Sequence, residues 1–409
     1  MDFEPTDRCK ELLERVRAFM DEHVYPNERE AEAALDREVD RDRAFPEVLV
    51  ELRARAKAEG LWNLFLPNPE YGPGLTNVEY GTLCEEMGRA TIVAAYCFNC
   101  QPPDSGNMEI LVEHATPEQR SRWLEPLLEG DIRSCYSMTE PETAGSDPTG
   151  LACRAELDGS DWVINGRKWW TTNALGASVA IVMAVTDPDA PKHQRATMIL
   201  VPTDTPGFNL VRPLHNHGHA AGPGHWEIAY EDCRVPAEAA TLGARQAGFK
   251  IAQDRLGPGR IHHCMRCIGV AERALELMCQ RAKSREMFGT PLADRQFVQD
   301  FIATSRAEID GARLITQRAA WKLDEVGNRL AREELSITKL VVPAMALGVV
   351  DRAIQVWGGA GVSEDTPLAG MYRYNRMLRI GDGADEVHKQ VIARMELAKV
   401  EAREEMVVW

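Results

Sequence analysis

The spacing of apolar residues changes twice along the 409 residues of this chain, and that change constrains the fold more than any other feature. Residues 1–130 repeat apolar side chains at helical spacing, residues 131–245 carry short runs typical of strands, and residues 246–409 return to helical spacing. We therefore expect an α+β chain with an N-terminal all-helical domain over 1–130, a middle β domain over 131–245 and a C-terminal helical bundle over 246–409.

Cap and turn residues predict element boundaries inside these regions. Thr116 before Pro117 predicts a helix start, with a hydroxyl cap and proline at the first helical position. Asn165 and Gly166 separate two runs of β-branched and aromatic residues and predict a two-residue hairpin turn. Three amphipathic stretches predict the long helices of the C-terminal bundle: 295–327, 333–356 and 386–406.

Charge and hydropathy restrict the partners. The chain has 63 acidic and 47 basic side chains and a formal net charge of -16, which argues against nucleic acid as a partner. The longest apolar stretch, between Lys339 and Asp351, contains Pro343 and is far shorter than the roughly 20 residues of a membrane span. The segment after Met1 is acidic and lacks a basic region followed by an apolar one, so we expect no secretory signal and a cytoplasmic location.

The ten cysteines, without a predicted secretion signal, indicate reduced thiols. Two pairs have the spacing of zinc ligands: Cys97 with Cys100, and Cys264 with Cys267. His262 and His263 add nitrogen donors beside the second pair. Because the pairs lie far apart and in segments with helical spacing, where this interval places two small side chains on one face, we expect no metal site.

Three segments have both a structural and a ligand-binding interpretation. The hydroxyl-rich segment 136–150 can offer donors to a polar planar ligand, or form a loop with helix caps. In KWWTTN, Trp170 and Thr172 share a strand face, which is either an aromatic plane beside a hydroxyl or an ordinary half-buried strand. The glycines of GGAG at 358–361 either end a helix or form a ligand loop.

Asp382 lies between Gly381 and Gly383, a few residues before a helix predicted to begin near Asp385. The positive end of the helix dipole would keep this carboxylate ionised, as a general base requires. The same helix start could instead bind a phosphate, or the acidic residues could simply cap the helix. The segment taken alone favours capping.

The order of these motifs resembles that of the acyl-CoA dehydrogenase family. The shared segments are TEPETAGSD, INGRKWWTTN, SREMFG, QVWGGAGV and a carboxylate in the last helical connection, together with ATPEQRSRWLEPLLEGD in the N-terminal region. The similarity covers nearly the whole chain. The Asp382 segment and RIHHCMR are most similar to the branch that, in animals, occurs fused to a kinase-like domain.

The resemblance implies a helical N-terminal domain, a middle β-barrel domain and a C-terminal four-helix bundle. It also implies FAD as cofactor and an acyl-CoA thioester as substrate: a base removes the α-proton, hydride passes from the β-carbon to the flavin, and the product is a trans-2-enoyl-CoA. Electrons would then pass to an electron-transferring flavoprotein, and the chains would form a homotetramer built as a pair of dimers.

The family's site residues fall on identifiable positions of this chain. On the resemblance, Asp382 is the catalytic base, and Arg260, Ser146 and Gly381 contact the substrate. The implied cofactor-binding residues are Tyr136, Met138, Thr139, Ser146, Trp170, Thr172, Arg285, Phe288, Gln296, Gln355, Gly359, Ala384 and Glu386, and those from Arg285 to Gly359 belong to the neighbouring subunit's site. Met287 and Ala384 replace threonines found in many members, so two hydroxyl contacts to the cofactor are expected to be missing.

Asp382 stands where the family usually has glutamate, so its carboxylate reaches about one carbon–carbon bond less far. Members that keep the base elsewhere use a position matching Gly259, which has no side chain to serve. Gly381 replaces a bulky aromatic residue, which predicts room for medium-length to long, branched or substituted acyl groups. The rival interpretations are a flavin oxidase of the same fold, acting on acyl-CoA or nitroalkanes, and a non-catalytic acyl-CoA-binding protein.

Overall fold

The computed structural model describes residues 4–37, 45–90, 92–219 and 224–401. The chain divides into two compact units. The first consists of Met1–Val16, Thr76–Thr91 and Arg260–Trp409, and the second of Arg17–Leu75 and Ile92–Gly259. Each unit draws on the helical N-terminal region as well as on a later part of the chain, and the domain boundaries predicted near 130 and 245 remain predictions.

The helices follow the predicted periodicities. Within the described residues they are α1 (Asp7–Phe19), α2 (Tyr25–Arg37), α3 (Glu47–Ala58), α4 (Asn77–Gly88), α5 (Val93–Cys97), α6 (Asp104–His114), α7 (Pro117–Gln119), α8 (Glu125–Glu129), α9 (Ala237–Ala240), α10 (Gly248–Ser284), α11 (Gln296–Leu330), α12 (Arg332–Trp357), α13 (Leu368–Leu378) and α14 (Asp385–Glu401). Helices α11, α12 and α14 correspond to the three predicted bundle helices, and residues 402–406 of the last prediction lie outside the described ranges.

The helix start predicted at Thr116 is confirmed. The Thr116 hydroxyl accepts a hydrogen bond from the Gln119 N–H at 3.2 Å, and the Gln119 side chain accepts one from the Thr116 N–H at 3.0 Å. Pro117 occupies the first position of α7, where no intrahelical N–H is needed. Each side chain therefore satisfies a backbone donor of the other residue at the helix start.

The second unit contains an eight-stranded sheet. The strands are β1 (Ser134–Ser137), β2 (Arg154–Asp158), β3 (Asp161–Thr172), β4 (Val179–Val185), β5 (Ala196–Pro202), β6 (Phe208–Leu214), β7 (His225–Pro236) and β8 (Thr241–Leu242), and a separate pair in the first unit is β9 (Glu286–Met287) and β10 (Thr290–Pro291). The strand order is β6-β7-β3-β2-β4-β5-β8, with β1 parallel to β4. This sheet between helical regions confirms the predicted fold class.

The hairpin turn predicted at Asn165 and Gly166 is wrong. Strand β3 runs unbroken through both residues, and the turn from β2 to β3 lies instead between Asp158 and Asp161. The pairing of β3 with β7 shifts register at Gly166, whose φ is +147°, so the glycine marks a β-bulge. A Cβ there would lie 2.7 Å from the Cys153 Cα, which explains why the close approach needs glycine.

A helical bundle forms most of the first unit. Helix α12 packs against α11, α13 and α14. The face of α10 predicted to be apolar is buried, and its residues are Ile268, Ala271, Leu275 and Met278. Residues of α12 complete this core, including Val342, Ala346 and Val350. Among the described helices, none combines the length and the apolar character needed to cross a membrane.

Candidate functional site

The predicted site residues fall in both units. In the second unit, the Trp169 N–H donates to the Thr139 carbonyl at 3.0 Å, and the Thr139 hydroxyl donates to the Trp169 carbonyl at 2.8 Å. These bonds join the segment after β1 to strand β3. They hold the predicted flavin loop beside the strand that carries Trp170 and Thr172.

A buried ion pair, not recognised from the sequence, fixes the same connection. Lys168 is fully buried, and its Nζ donates at 2.8 Å both to the Met138 carbonyl and to Glu140 Oε1. The Glu140 carboxylate also accepts from the N–H groups of Ala152 at 2.7 Å and Cys153 at 2.9 Å. Burial acts to raise the pKa of Glu140, but Lys168 and these donors outweigh it and hold the pKa below its ordinary value.

Trp170 and Thr172 lie beside one histidine. The pairing of β3 with β7 shifts register between Lys168 and Thr171, and Trp170 within this shift has a φ of +52°. Trp170 is 39% exposed. The His225 ring lies 5.0 Å from the Trp170 ring, and its Nδ1 lies 2.8 Å from Thr172 Oγ1. Burial lowers the pKa of His225 to about 4, and its Nε2 has no hydrogen-bond partner among the described residues. The strand thus presents an aromatic plane and a hydroxyl backed by a neutral imidazole.

Tyr136 and Ser146 have different surroundings. The Tyr136 hydroxyl donates to Met138 Sδ at 3.7 Å, and the Arg255 guanidinium lies 4.0 Å from the centre of the Tyr136 ring. Arg255 is buried and donates through Nε to Asn107 Oδ1 at 2.9 Å. Ser146, by contrast, is exposed on the loop. The structure therefore places Tyr136 in a packed polar cluster and leaves Ser146 at the surface of the chain.

In the first unit, Asp382 lies in the turn between α13, which ends at Leu378, and α14, which begins at Asp385 as predicted. Asp382 has a left-handed φ of +55°, and Gly383 follows with a φ of +109°. A Cβ at position 383 would lie 2.7 Å from His388 Nε2, so glycine is required by both conformation and space. The left-handed φ at Asp382 and the close approach at Gly383 together define the conformation of this turn.

Two cationic side chains hold the backbone of this turn. Arg260, predicted to contact substrate, donates through Nε to the Asp382 carbonyl at 2.9 Å. Lys339 is fully buried on α12 and donates to the Leu378 carbonyl and, at 3.4 Å, to the Gly383 carbonyl. Both charges therefore satisfy carbonyl oxygens near the predicted base.

The Asp382 carboxylate lies against His263, a contact that was not predicted. His263 Nε2 is 3.3 Å from Asp382 Oδ2, and the two side chains are 12% and 23% exposed. On the other side of the ring, Arg266 Nη2 donates to His263 Nδ1 at 3.1 Å. Burial, together with the charge of Arg266, lowers the pKa of His263, although Asp382 opposes that shift. The imidazole beside the carboxylate is therefore neutral near pH 7.

The residues assigned by resemblance to the neighbouring subunit's cofactor lie at the surface of the single chain. They are Arg285, Phe288, Gln296, Gln355 and Gly359. Phe288 is 91% exposed and has a φ of +52° in the turn between β9 and β10. Near Asp382, Glu386 is exposed and Ala384 is half-buried. The exposure of the residues from Arg285 to Gly359 is compatible with a role across a subunit interface.

The histidines considered as zinc donors face different neighbours. The His262 ring packs edge-on against Tyr80, with 4.8 Å between the ring centres, whereas His263 reaches Asp382. All ten cysteines are free. Neighbouring positions on α10 thus have separate roles, one in packing and one beside the predicted base.

One other cluster of ligand-type atoms occurs within the described ranges. Glu113, His114 and Asp254 bring their atoms within 4.8 Å of one another. Asp254 Oδ2 is already 3.1 Å from His114 Nε2 and 3.0 Å from Lys250 Nζ. Because an ammonium group at that carboxylate opposes a second cation, we assign no metal to this cluster.

Family models match three consecutive parts of the chain. The N-terminal domain of acyl-CoA dehydrogenases matches residues 6–131, the middle domain residues 135–233 and the C-terminal domain residues 246–397. These matches follow the helical, sheet and helical order of the described elements.

Curated relatives match nearly the whole chain. FadE2 of Mycobacterium tuberculosis, described as an acyl-CoA dehydrogenase, is 49% identical over 98% of this chain and 98% of its own length. Acyl-CoA dehydrogenase family member 10 of Mus musculus is 49% identical over 95% of this chain, and family member 11 of Gallus gallus is 49% identical over 97%. The chain spans only 37% and 51% of these two animal proteins.

Solved structures share the fold. A protein from Mycobacterium abscessus described as an acyl-CoA dehydrogenase has a TM-score of 0.93 and 47% identity, covering 97% of this chain and 100% of its own. A glutaryl-CoA dehydrogenase from Mycobacterium smegmatis, in complex with FADH2, has a TM-score of 0.80 and 26% identity, covering 97% of this chain and 96% of its own. The family models, the relatives and the folds agree, and the chain belongs to the acyl-CoA dehydrogenase family.

Proposed function

We propose that this chain is an FAD-dependent acyl-CoA dehydrogenase in which Asp382 removes the α-proton of an acyl-CoA thioester and the product is a trans-2-enoyl-CoA. The observation that carries the proposal is the turn at Asp382. There a partly exposed carboxylate on a left-handed backbone lies against a neutral histidine, while Arg260 and Lys339 bind carbonyl oxygens of the same turn.

The residues present fit a flavin. Bound FAD would supply the acceptor for the hydride that leaves the β-carbon. In the second unit, the exposed Trp170 indole and the Thr172 hydroxyl offer a plane and a polar group of the kind that an isoalloxazine ring needs. In the first unit, the exposed Arg285 and Phe288 offer a cation and an aromatic ring to the neighbouring subunit's cofactor. The donor set therefore agrees with the cofactor that the motifs imply.

The role of Asp382 is general-base catalysis. A thioester α-proton is weakly acidic, so an ionised carboxylate must lie close to the α-carbon in a site from which water is excluded. Hydrogen bonds to the thioester carbonyl stabilise the charge that develops there, and the Asp382 N–H is our candidate donor. Since aspartate is one methylene shorter than the usual glutamate, the turn must bring its backbone nearer to the substrate.

Space beside the base supports a bulky acyl group. A Cβ built on Gly381 would meet nothing nearer than the Met377 carbonyl oxygen at 3.8 Å. The aromatic residue that many relatives place there is missing, so we propose a medium-length to long, branched or substituted acyl chain. On the family resemblance we also propose an electron-transferring flavoprotein as electron acceptor. We propose a homotetramer as the assembly, which the exposure of Arg285 and Phe288 at predicted inter-subunit positions supports.

An anaerobic screen tests this function. The purified protein is mixed with straight, branched and hydroxylated acyl-CoA thioesters while the flavin absorbance near 450 nm is followed. We expect yellow protein, bleaching by at least one substituted or long acyl-CoA, slow recovery in air and fast recovery with an electron-transferring flavoprotein. Fast recovery in air would indicate an oxidase, and protein without flavin, or flavin that no acyl-CoA bleaches, would contradict a catalytic role.

A further inference from the structure

His263 is connected on both sides to charged groups. Its Nδ1 lies 3.1 Å from Arg266 Nη2 and its Nε2 lies 3.3 Å from Asp382 Oδ2. A guanidinium is always protonated and can only donate, so Nδ1 must be the acceptor. A neutral imidazole carries one proton, which is therefore on Nε2, the ring nitrogen that lies 3.3 Å from Asp382 Oδ2. Arg266 thus selects the tautomer that lets His263 donate to Asp382.

We propose that His263 is a positioning residue that holds the Asp382 carboxylate in its reactive orientation through Nε2–H, with Arg266 fixing the tautomer of His263. The proposal deepens the function above and rests on Asp382 being the base. His263 itself does not contact the thioester in this scheme. It donates to Oδ2 and thereby orients the carboxylate as a whole toward the α-carbon.

The need for such a residue follows from the turn. Asp382 lies between two glycines, on a left-handed backbone, and its side chain is 23% exposed. Arg260 and Lys339 donate to carbonyl oxygens of the turn, and orienting the carboxylate itself calls for a donor to its own oxygens. A donor on the rigid, buried part of α10 limits rotation of the carboxylate. Positioning of this kind matters because a displacement of about 1 Å at a reacting group can slow a reaction roughly 100-fold.

A neutral donor has an advantage over a cation in this position. An ammonium or guanidinium bound to the Asp382 carboxylate would stabilise the ionised form strongly and weaken it as a base. Neutral His263 orients the carboxylate with a smaller loss of basicity. Arg266 donates to the imidazole of His263, and its charge therefore acts on Asp382 through that ring.

Other titratable groups around the turn must be considered in any pH experiment. Helix α10 contributes Arg260, His263 and Arg266, α12 contributes Lys339, and the end of α13 and start of α14 contribute Arg379, Asp385, Glu386 and His388. Arg379 is bound to Asp385 at 2.6 Å. Burial, with Arg260 and Lys339, lowers the pKa of His388 to about 4, so His388 stays neutral above that range. Replacing His263 leaves these groups in place.

Two substitutions of His263 distinguish a role in positioning the Asp382 carboxylate from a role in packing. Glutamine keeps an acceptor for Arg266 and a donor for Asp382, whereas leucine removes both. His262→Gln is the matched control, because it replaces the adjacent buried histidine that packs on Tyr80. Each variant is purified as holoenzyme, its flavin content and melting temperature are checked, and the anaerobic rate of flavin reduction at saturating acyl-CoA is measured from pH 5 to 9.

We expect His263→Leu to lower the plateau rate roughly 10- to 100-fold and to shift the acidic limb of the pH profile upward by about one unit, because the carboxylate loses a donor to its ionised form. His263→Gln should restore most of the rate and move the limb back, and His262→Gln should leave the limb unchanged. An unchanged pH profile in His263→Leu, or a loss of rate that glutamine does not rescue, would overturn the proposal.

The Asp382→Asn variant separates the positioning role of His263 from the base role of Asp382. If Asp382→Asn is inactive while His263→Leu is normal, only the positioning role fails. If Asp382→Asn stays active, the base assignment itself fails.

Discussion

Glu140 and Asp382 are both carboxylates among the predicted site regions, and their environments are opposite. Glu140 is 3% exposed and accepts hydrogen bonds from Lys168 and from the N–H groups of Ala152 and Cys153. The Asp382 side chain is 23% exposed and lies beside the neutral ring of His263. One carboxylate is enclosed by a cation and backbone donors, and the other is reachable from solvent.

The difference distinguishes a structural carboxylate from the one that we propose as the catalytic base. Donors and a buried cation around Glu140 stabilise its ionised form, which suits a fixed connection between a loop and a strand and gives a poor base. At Asp382 the nearby cations Arg260 and Lys339 donate to carbonyl oxygens. These two charges therefore bind the backbone of the turn that carries the proposed base.

Removing one partner of the enclosed pair should have the largest effect on stability. We expect Lys168→Met to lower the free energy of unfolding by about 3–5 kcal/mol, because it leaves Glu140 as an uncompensated buried charge. Denaturant unfolding of the holoenzyme measures this. The control is Arg234→Ala, since Arg234 and Asp158 form an exposed ion pair at 2.7 Å whose loss should change stability far less. Equal effects of the two variants would mean that the Glu140 network is not the structural anchor we describe.

Acid should weaken the strand region through His225. Its pKa is about 4 in the folded chain against an ordinary 6.5, so the unfolded chain binds a proton first as the pH falls. The stability from this group is complete above pH 6.5 and is lost progressively between pH 6.5 and 4, by about 3 kcal/mol in all. The free energy of unfolding, measured between pH 6.5 and 4, should depend less steeply on pH in His225→Gln than in the wild type. An identical slope in the two proteins would contradict the assignment of a neutral buried imidazole.

The turn at the base should be sensitive to a single methyl group. We expect Gly383→Ala to lower the unfolding free energy by about 1–3 kcal/mol, because φ is +109° and the new Cβ would lie 2.7 Å from His388 Nε2. Flavin reduction should slow as well, since Asp382 is the preceding residue. Gly381→Ala is the control for stability, because its Cβ meets only the Met377 carbonyl oxygen at 3.8 Å. If both alanines are tolerated equally, the conformation of the turn does not depend on Gly383.

Much of the helical structure could be predicted from the sequence because helix periodicity is a local signal. The buried face of α10 and the cap at Thr116 depend on residues within a few turns of one another. The motif resemblance similarly places Thr139, Trp170 and Asp382 among the predicted site residues, because they have recognisable neighbours in the sequence. Helix periodicity thus predicts which helices form and which of their faces are buried.

The wrong turn prediction and the unpredicted contacts have one physical origin, which is pairing between residues that lie far apart in the sequence. The Asn165–Gly166 signal predicts a turn, but β7 pairs along the full length of β3 and converts the glycine into a bulge. Lys168 and Glu140 are 28 residues apart, and His263 and Asp382 lie on separate elements. No spacing rule gives a partner across such distances. From the sequence, the HH pair of α10 is considered only as a source of metal donors, and a metal site is not expected, whereas the structure places His263 beside the predicted base.

The most direct test of the comparison exchanges each carboxylate for its amide and follows anaerobic flavin reduction by the best acyl-CoA. We predict that Asp382→Asn keeps its FAD and its melting temperature but reduces flavin roughly 10²- to 10⁴-fold more slowly, as expected for loss of a general base. Glu140→Gln should lower the melting temperature, while the folded holoenzyme that remains should reduce flavin at close to the wild-type rate. Unimpaired flavin reduction in Asp382→Asn would contradict the account.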